Sequence, residues 1–186
     1  MTWISRFRLR LAARHLRRGG IVAYPTEAVY GLGCDPFNPG AVADLLTLKQ
    51  RPAAKGLILI AANFRQIEPF LAITSPAIRN KLLESWPGPI TWIVPASPWV
   101  PEWLRGEHDT LAVRVTAHAP SADLCQTFGG PIVSTSANPS GSPPAKSRLK
   151  TRQYFNHAGL TYLPGTTSGL SKPTDIFDAQ TGTRYR

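Results

Sequence analysis

Apolar and polar positions along this chain change period repeatedly, in short blocks separated by Gly, Pro and capping residues. Phe7, Leu9, Leu11, Ala12 and Leu16 predict a first helix stopped by Gly19-Gly20. Ile21–Tyr24 reads as a short buried strand ending at Pro25, and Asn38-Pro39 as a cap and first turn for a helix over Ala41–Leu48. The unbroken apolar run Leu57–Ala61 predicts a strand covered on both faces. Asn63 caps a helix through Leu71, and Ser75-Pro76 opens another through Glu84. Trp86-Pro87-Gly88-Pro89 is a turn, Ile90–Val94 and Leu111–Val115 are strands, Ser121–Phe128 a helix and Ile132–Ser134 a strand. A basic amphipathic helix from Ser147 to Asn156 follows, and then extended segments at Tyr162-Leu163 and Ile176–Arg186. Strands interleaved with helices predict an α/β sheet with helices on its faces. No repeat or linker interrupts residues 1–186, which are read as a single domain.

Composition narrows the class of function. Hydrophobic residues make up 42% and charged residues 17%, enough apolar surface for a core. Lys and Arg (21) outnumber Asp and Glu (11), and the net charge of +10 favours anionic partners. Cys34 and Cys125 form no CxxC pair, and two free thiols suit a reducing compartment. His15, His108, His118 and His157 lack HxxxH spacing, so no metal site is expected. Arg6, Arg8, Arg10, Arg14, Arg17 and Arg18 occur without an acid, as in a transit peptide, but lead straight into helix and strand. With no secretory h-region, and no apolar run that spans a bilayer, a cytoplasmic protein without a membrane segment is expected.

Ligands of open α/β sheets bind beyond strand ends, and polar residues cluster at four such places. Tyr24-Pro25-Thr26-Glu27-Ala28-Val29-Tyr30-Gly31 sets a hydroxyl, a carboxylate and a phenol after a strand; the plain alternative is a turn in which Thr26 caps a helix. In Lys49-Gln50-Arg51-Pro52, with Lys55 beyond, alternate positions of an extended segment let Lys49 and Arg51 converge on one polyphosphate. The alternative is cations answering a helix dipole. Leu111, Val113 and Val115 share one strand face, leaving Arg114 beside Ala112 and Thr116, in need of a carboxylate from the protein or a substrate anion. Finally, Pro131–Gly141 runs a buried strand into Ser134, Thr135, Ser136, Asn138 and Ser140, neutral donors for phosphoryl or ribose oxygens. Walker, GxGxxG and GxSxG motifs are missing. The residues alone imply a cationic, hydroxyl-rich cleft for a phosphorylated ligand.

The strings YPTEAVYGLG, LLTLKQRPAAKGLILIAAN, WPGPITWIVPA, LAVRVT and PIVSTSANPSG, in this order, resemble the YrdC-like family of threonylcarbamoyl-AMP synthases of the short TsaC type. The resemblance runs from Ile21 to Gly141 and more weakly to the end. It implies a twisted, open mixed sheet with a basic concave groove. It also implies synthesis of threonylcarbamoyl-adenylate and pyrophosphate from L-threonine, bicarbonate or CO2, and ATP. Partner proteins would pass the threonylcarbamoyl group to a tRNA adenosine, and Mg2+ would ride on the ATP phosphates. By motif match, Lys49, Arg51, Ser136 and Asn138 face the nucleotide, while Thr26, Tyr30 and Arg114 serve threonine. Lys55, Ser134 and Thr135 join the substrate set, with Thr174 where the family commonly has serine and Arg186 matching a late basic residue. Glu27 is read as a turn carboxylate rather than a general base. A rival class is a module for double-stranded RNA or tRNA that uses the same groove, with basic faces on the first helix and on Lys146–Arg152.

Overall fold

The computed structural model describes residues 4–156 and 159–186. Their strands form one mixed sheet of eight, in the order β7-β1-β2-β6-β3-β5-β4-β8. The strands are β1 (Val22–Pro25), β2 (Tyr30–Gly33), β3 (Ile58–Ala61), β4 (Ile90–Pro95), β5 (Thr110–Val115), β6 (Ile132–Ser136), β7 (Thr161–Tyr162) and β8 (Asp175–Asp178). β3 and β5 run parallel at the centre, and β6 lies antiparallel to both β3 and β2. The two-residue alternation of each strand divides the apolar residues between two cores. Ala23, Leu32, Leu59, Val113 and Val133 face one way and Val22, Tyr24, Ile60 and Ile132 the other.

The second face is covered by α1 (Arg6–Arg17), through Leu9, Ala12 and Leu16, and by α6 (Ala119–Phe128), through Leu124 and Cys125. The first is covered by α2 (Pro39–Lys49), α3 (Phe64–Ile67), α4 (Pro76–Ser85), α5 (Glu102–Arg105) and α7 (Arg148–Phe155). Asn38 caps α2 through a bond from the Ala41 N–H, and Asn63 caps α3 through one from Gln66. Ser75 makes no side-chain cap on α4.

Four local expectations change. The segment after Pro25 is a hairpin leading into β2, because Thr26 donates to the Val29 carbonyl and closes a tight turn; it caps no helix. The helix expected from Asn63 to Leu71 divides at Pro69 into α3 and a 3-10 turn over Glu68–Phe70. α5 has no counterpart in the periodicity because four residues are too few to display one. The C-terminal segment is extended only over Asp175–Asp178, then doubles back so that Arg184 bridges Phe177.

Candidate functional site

Where α1 and α6 stop covering their face of the sheet, a groove of about 680 Å3 opens over the strands themselves. Thr26, Arg51, Lys55, Arg114, Ser134, Thr135, Ser136, Thr174 and Arg186 all line it, although they come from seven separate stretches of chain. The alternation that sends Leu111, Val113 and Val115 into the core leaves Ala112 and Arg114 on the groove floor. Opposite charge is scarce: the groove is lined by five cationic side chains, counting Arg105, and by one carboxylate, that of Asp178.

Arg114 is buried, and protein groups hold its guanidinium from two sides. Nη1 donates to Thr91 Oγ1 at 3.1 Å and to Thr174 Oγ1 at 2.9 Å, and Nη2 lies 3.4 Å from Glu27 Oε2. Nε has no partner among the described residues. Glu27 sits in the turn between β1 and β2, as the sequence suggests, but its carboxylate is buried rather than solvated. Its other oxygen accepts from Thr116 Oγ1 at 2.6 Å, and the carboxylate is buried as the counter-ion of Arg114. Of the two partners weighed for Arg114, the protein supplies a carboxylate, that of Glu27. Arg186 extends the chain of contacts, donating from Nε and Nη2 to the Thr174 carbonyl.

Lys49 and Arg51 do not converge. Lys49 closes α2, and Gln50 takes a left-handed conformation (φ 52°) with Arg51 N–H returning to the Leu46 carbonyl. That terminal turn reverses the chain, so the two side chains take different partners. Arg51 enters the groove, with Nη2 on the Gly56 carbonyl at 3.0 Å and a buried, unpartnered Nε. Lys49 instead turns under the groove wall, donating to the carbonyls of Ser136 and, at 2.8 Å, Asn138. Asn138 likewise lies behind the wall, its amide N–H groups on the Pro139 and Ser142 carbonyls. Lys49 and Asn138 thus shape the loop that presents Ser136 and do not line the groove. Tyr30 also lies outside the lining; its hydroxyl donates to the Gly165 carbonyl at 2.8 Å. Together with His118, which bonds the Thr166 carbonyl, it pins the segment leading to Thr174.

Burial, helped by the neighbouring Arg51 charge, pulls the Lys49 ammonium down from 10.5 to about 8. Between those values the folded protein has shed a proton that the unfolded chain keeps, so this group's contribution to stability rises with pH across that window. The melting temperature of the wild type minus that of Lys49→Met is expected to grow from pH 7.5 towards pH 10, as followed by circular dichroism. A flat difference would show that Lys49 is not a desolvated cation.

Arg105, His108 and Tyr185 line the groove without having been singled out in the sequence. Arg105 and His108 arrive because Gly106 packs against the 54–56 loop; a Cβ there would sit 2.2 Å from the Ala54 carbonyl oxygen. No local signal announces such a meeting of remote segments. Three His, Cys, Asp or Glu side chains grouped for a metal do not occur among the described residues, and His157 lies outside them. Nor, among the described residues, is any helix long and apolar enough to cross a membrane. Cys34 and Cys125 are unpaired and buried, and burial raises both thiols, Cys125 to about 12.

The Sua5/YciO/YrdC family model, described as "Telomere recombination", matches residues 14–185. Threonylcarbamoyl-AMP synthase of Methylococcus capsulatus is 55% identical over 186 residues, the full length of both chains. The synthase of Halorhodospira halophila is 54% identical, over 97% of this chain and 94% of its own. Among solved structures, P. abyssi Sua5 complexed with L-threonine superposes with a TM-score of 0.87 at 35% identity. That match covers 95% of this chain but only 52% of the Sua5 chain, so the present protein spans about half its length.

Proposed function

The chain belongs to the Sua5/YciO/YrdC family, and from that premise we propose that it joins L-threonine, bicarbonate or CO2, and ATP into threonylcarbamoyl-adenylate and pyrophosphate. The observation that carries this is the single groove in which Arg51, Lys55, Arg114 and Arg186 meet the hydroxyls of Thr26, Ser134, Ser136 and Thr174. A triphosphate and an amino-acid carboxylate are both anionic, and placing them side by side requires several cations in one hollow.

The roles follow from which residues line the groove and how their polar atoms are already bonded. Arg114, which lines the groove, is the cation for the threonine carboxylate. Thr26 spends its hydroxyl hydrogen on Val29, so towards the groove it presents oxygen lone pairs, suited to the amine or hydroxyl of threonine. Arg51 and Lys55 attract the phosphates, and Ser136 and Thr135 hold phosphoryl or carbamate oxygens without adding charge. The deprotonated threonine amine takes up CO2 to form a carbamate. A carbamate oxygen then attacks the α-phosphorus of ATP, the bond from that phosphorus to the bridging oxygen breaks, and pyrophosphate leaves. Lys49 and Asn138 hold the Ser136 loop in register, and Tyr30 holds the approach to Thr174.

The groove's own donors do not fit a protein-held Mg2+. Hard cations take clustered carboxylate and carbonyl oxygens, whereas the one lining carboxylate, Asp178, accepts the Gln180 and Thr181 N–H groups on Oδ1. Mg2+ therefore belongs to the ATP phosphates when it is present. The product passes to tRNA-modification partner proteins in the cytoplasm, and contact with tRNA would fall on the exposed arginines of α1 and the cations of α7.

Pyrophosphate release from ATP, with threonine and bicarbonate omitted in turn, tests the reaction. Release is expected only when both are present. Release without threonine would assign the groove to another acceptor, and no release under any condition would remove the enzymatic reading.

A further inference from the structure

Tyr24 is wholly buried in the core beneath α1 and α6, yet its hydroxyl reaches Ser134 Oγ at 2.8 Å. The two residues are not on neighbouring strands. Tyr24 belongs to β1 and Ser134 to β6, with β2 between them. The ring crosses β2 over two glycines. A Cβ on Gly31 would lie 3.3 Å from Tyr24 Cζ, and one on Gly33 would lie 2.9 Å from Cε1 and 2.5 Å from the Val133 carbonyl oxygen. The alternation Tyr30-Gly31-Leu32-Gly33 thus keeps Leu32 for the opposite core and leaves a side-chain-free track on this face.

Hydrogen accounting then fixes a direction. The Tyr24 phenol has one hydrogen and, among the described residues, one polar partner, Ser134 Oγ. A buried hydroxyl hydrogen left without an acceptor is costly, so it goes to Ser134. Burial also pushes the phenol well above its ordinary ionisation range, so the donor is retained at every pH at which the enzyme works. Ser134 accepts that bond, donates to no other described group, and lines the groove. Its own hydrogen has only the groove to point into.

We propose that Tyr24 is a positioning residue: by donating across the glycine track it sets the Ser134 hydroxyl as a donor aimed at an anionic oxygen of the amino-acid substrate. Thr26, the neighbouring hydroxyl, presents acceptors instead. The two hydroxyls of one groove are thereby given opposite polarities, suited to a carboxylate-type oxygen and to an amine or hydroxyl. The proposal rests on the threonine-dependent reaction above.

Tyr24→Phe removes one oxygen while keeping the ring on its track. Its expected effect is a rise of about tenfold in KM for threonine, with kcat and KM for ATP within about twofold of wild type, the scale of one hydrogen bond that orients a ground-state contact. Introduced into a Ser134→Ala background, Tyr24→Phe should change KM for threonine by less than about twofold, since the group it orients is gone. An unchanged KM in Tyr24→Phe, or an equal loss with and without the Ser134 hydroxyl, overturns the proposal. A second reading of the same pair needs no turnover: a slowly exchanging Tyr24 hydroxyl proton in the NMR spectrum of the wild type should be lost in Ser134→Ala, and its persistence there counts against the bond. Absence of threonine-dependent turnover in the wild type itself removes the functional premise instead, and the hydroxyl proton then decides whether Tyr24 and Ser134 are coupled.

Discussion

Arg51→Ala is expected to lower threonine-dependent pyrophosphate formation at least ~100-fold, the scale of deleting one preorganised electrostatic donor. The guanidinium is fixed at one end by the Gly56 carbonyl and leaves a buried Nε without a partner among the described residues. A cation already fixed at one end loses little entropy when a phosphate arrives, which distinguishes it from Lys55, exposed on the same wall. Arg51→Lys should recover only part of the rate, because an ammonium cannot hold the Gly56 carbonyl and meet a phosphoryl oxygen in the same fork geometry. Single-turnover rates at saturating ATP separate the chemical step from nucleotide binding. Less than a tenfold loss in Arg51→Ala would move the nucleotide to another part of the groove. Arg51→Ala should unfold close to the wild-type temperature, since the residue is only half-buried and bonds one carbonyl.

The second large effect concerns stability. Arg114→Met leaves Glu27 as an uncompensated carboxylate at a buried position, and breaking such a pair from one side costs about 3–5 kcal/mol. For a chain of this length that corresponds to a fall in melting temperature of roughly 6–20 °C. The double variant Glu27→Gln/Arg114→Met should recover most of the loss, because no buried charge is left unpaired and the amide can still accept from Thr116 Oγ1. Yet it should remain unable to use threonine, since the carboxylate partner is gone. Thermal melts and the pyrophosphate assay on the same two proteins separate the structural role of Arg114 from its substrate role. Threonine-dependent activity in the double variant would assign the carboxylate to another residue, and no recovery of stability would mean that packing around Arg114 outweighs its charge.

Much of this site could be read along the chain because strand alternation is local. Leu111, Val113 and Val115 against Arg114 already separate core from groove, and the hydroxyls after Ile132-Val133, on the last residues of β6, line that groove. The same local reasoning failed at Lys49-Gln50-Arg51. A left-handed Gln50 carries no sequence signal comparable to glycine, and an extended tripeptide would have put Lys49 beside Arg51. It placed Glu27 in its turn but could not show the pairing that buries it: the counter-ion is 87 positions away, and only sheet closure brings the two together.

The amino-acid order by itself determined the α/β alternation, the cationic surplus and the placing of hydroxyls at strand ends, since all three depend on neighbours within a few residues. Tertiary structure alone decided which of those polar groups face the groove and which brace it. Lys49, Asn138 and Tyr30 are turned away onto backbone carbonyls, while Arg105, at the end of α5, and Tyr185, in the C-terminal segment, are brought in from remote parts of the chain. The physical reason is that a buried donor must find an acceptor wherever the folded chain supplies one, and in this protein that acceptor is commonly a carbonyl on a different strand or loop.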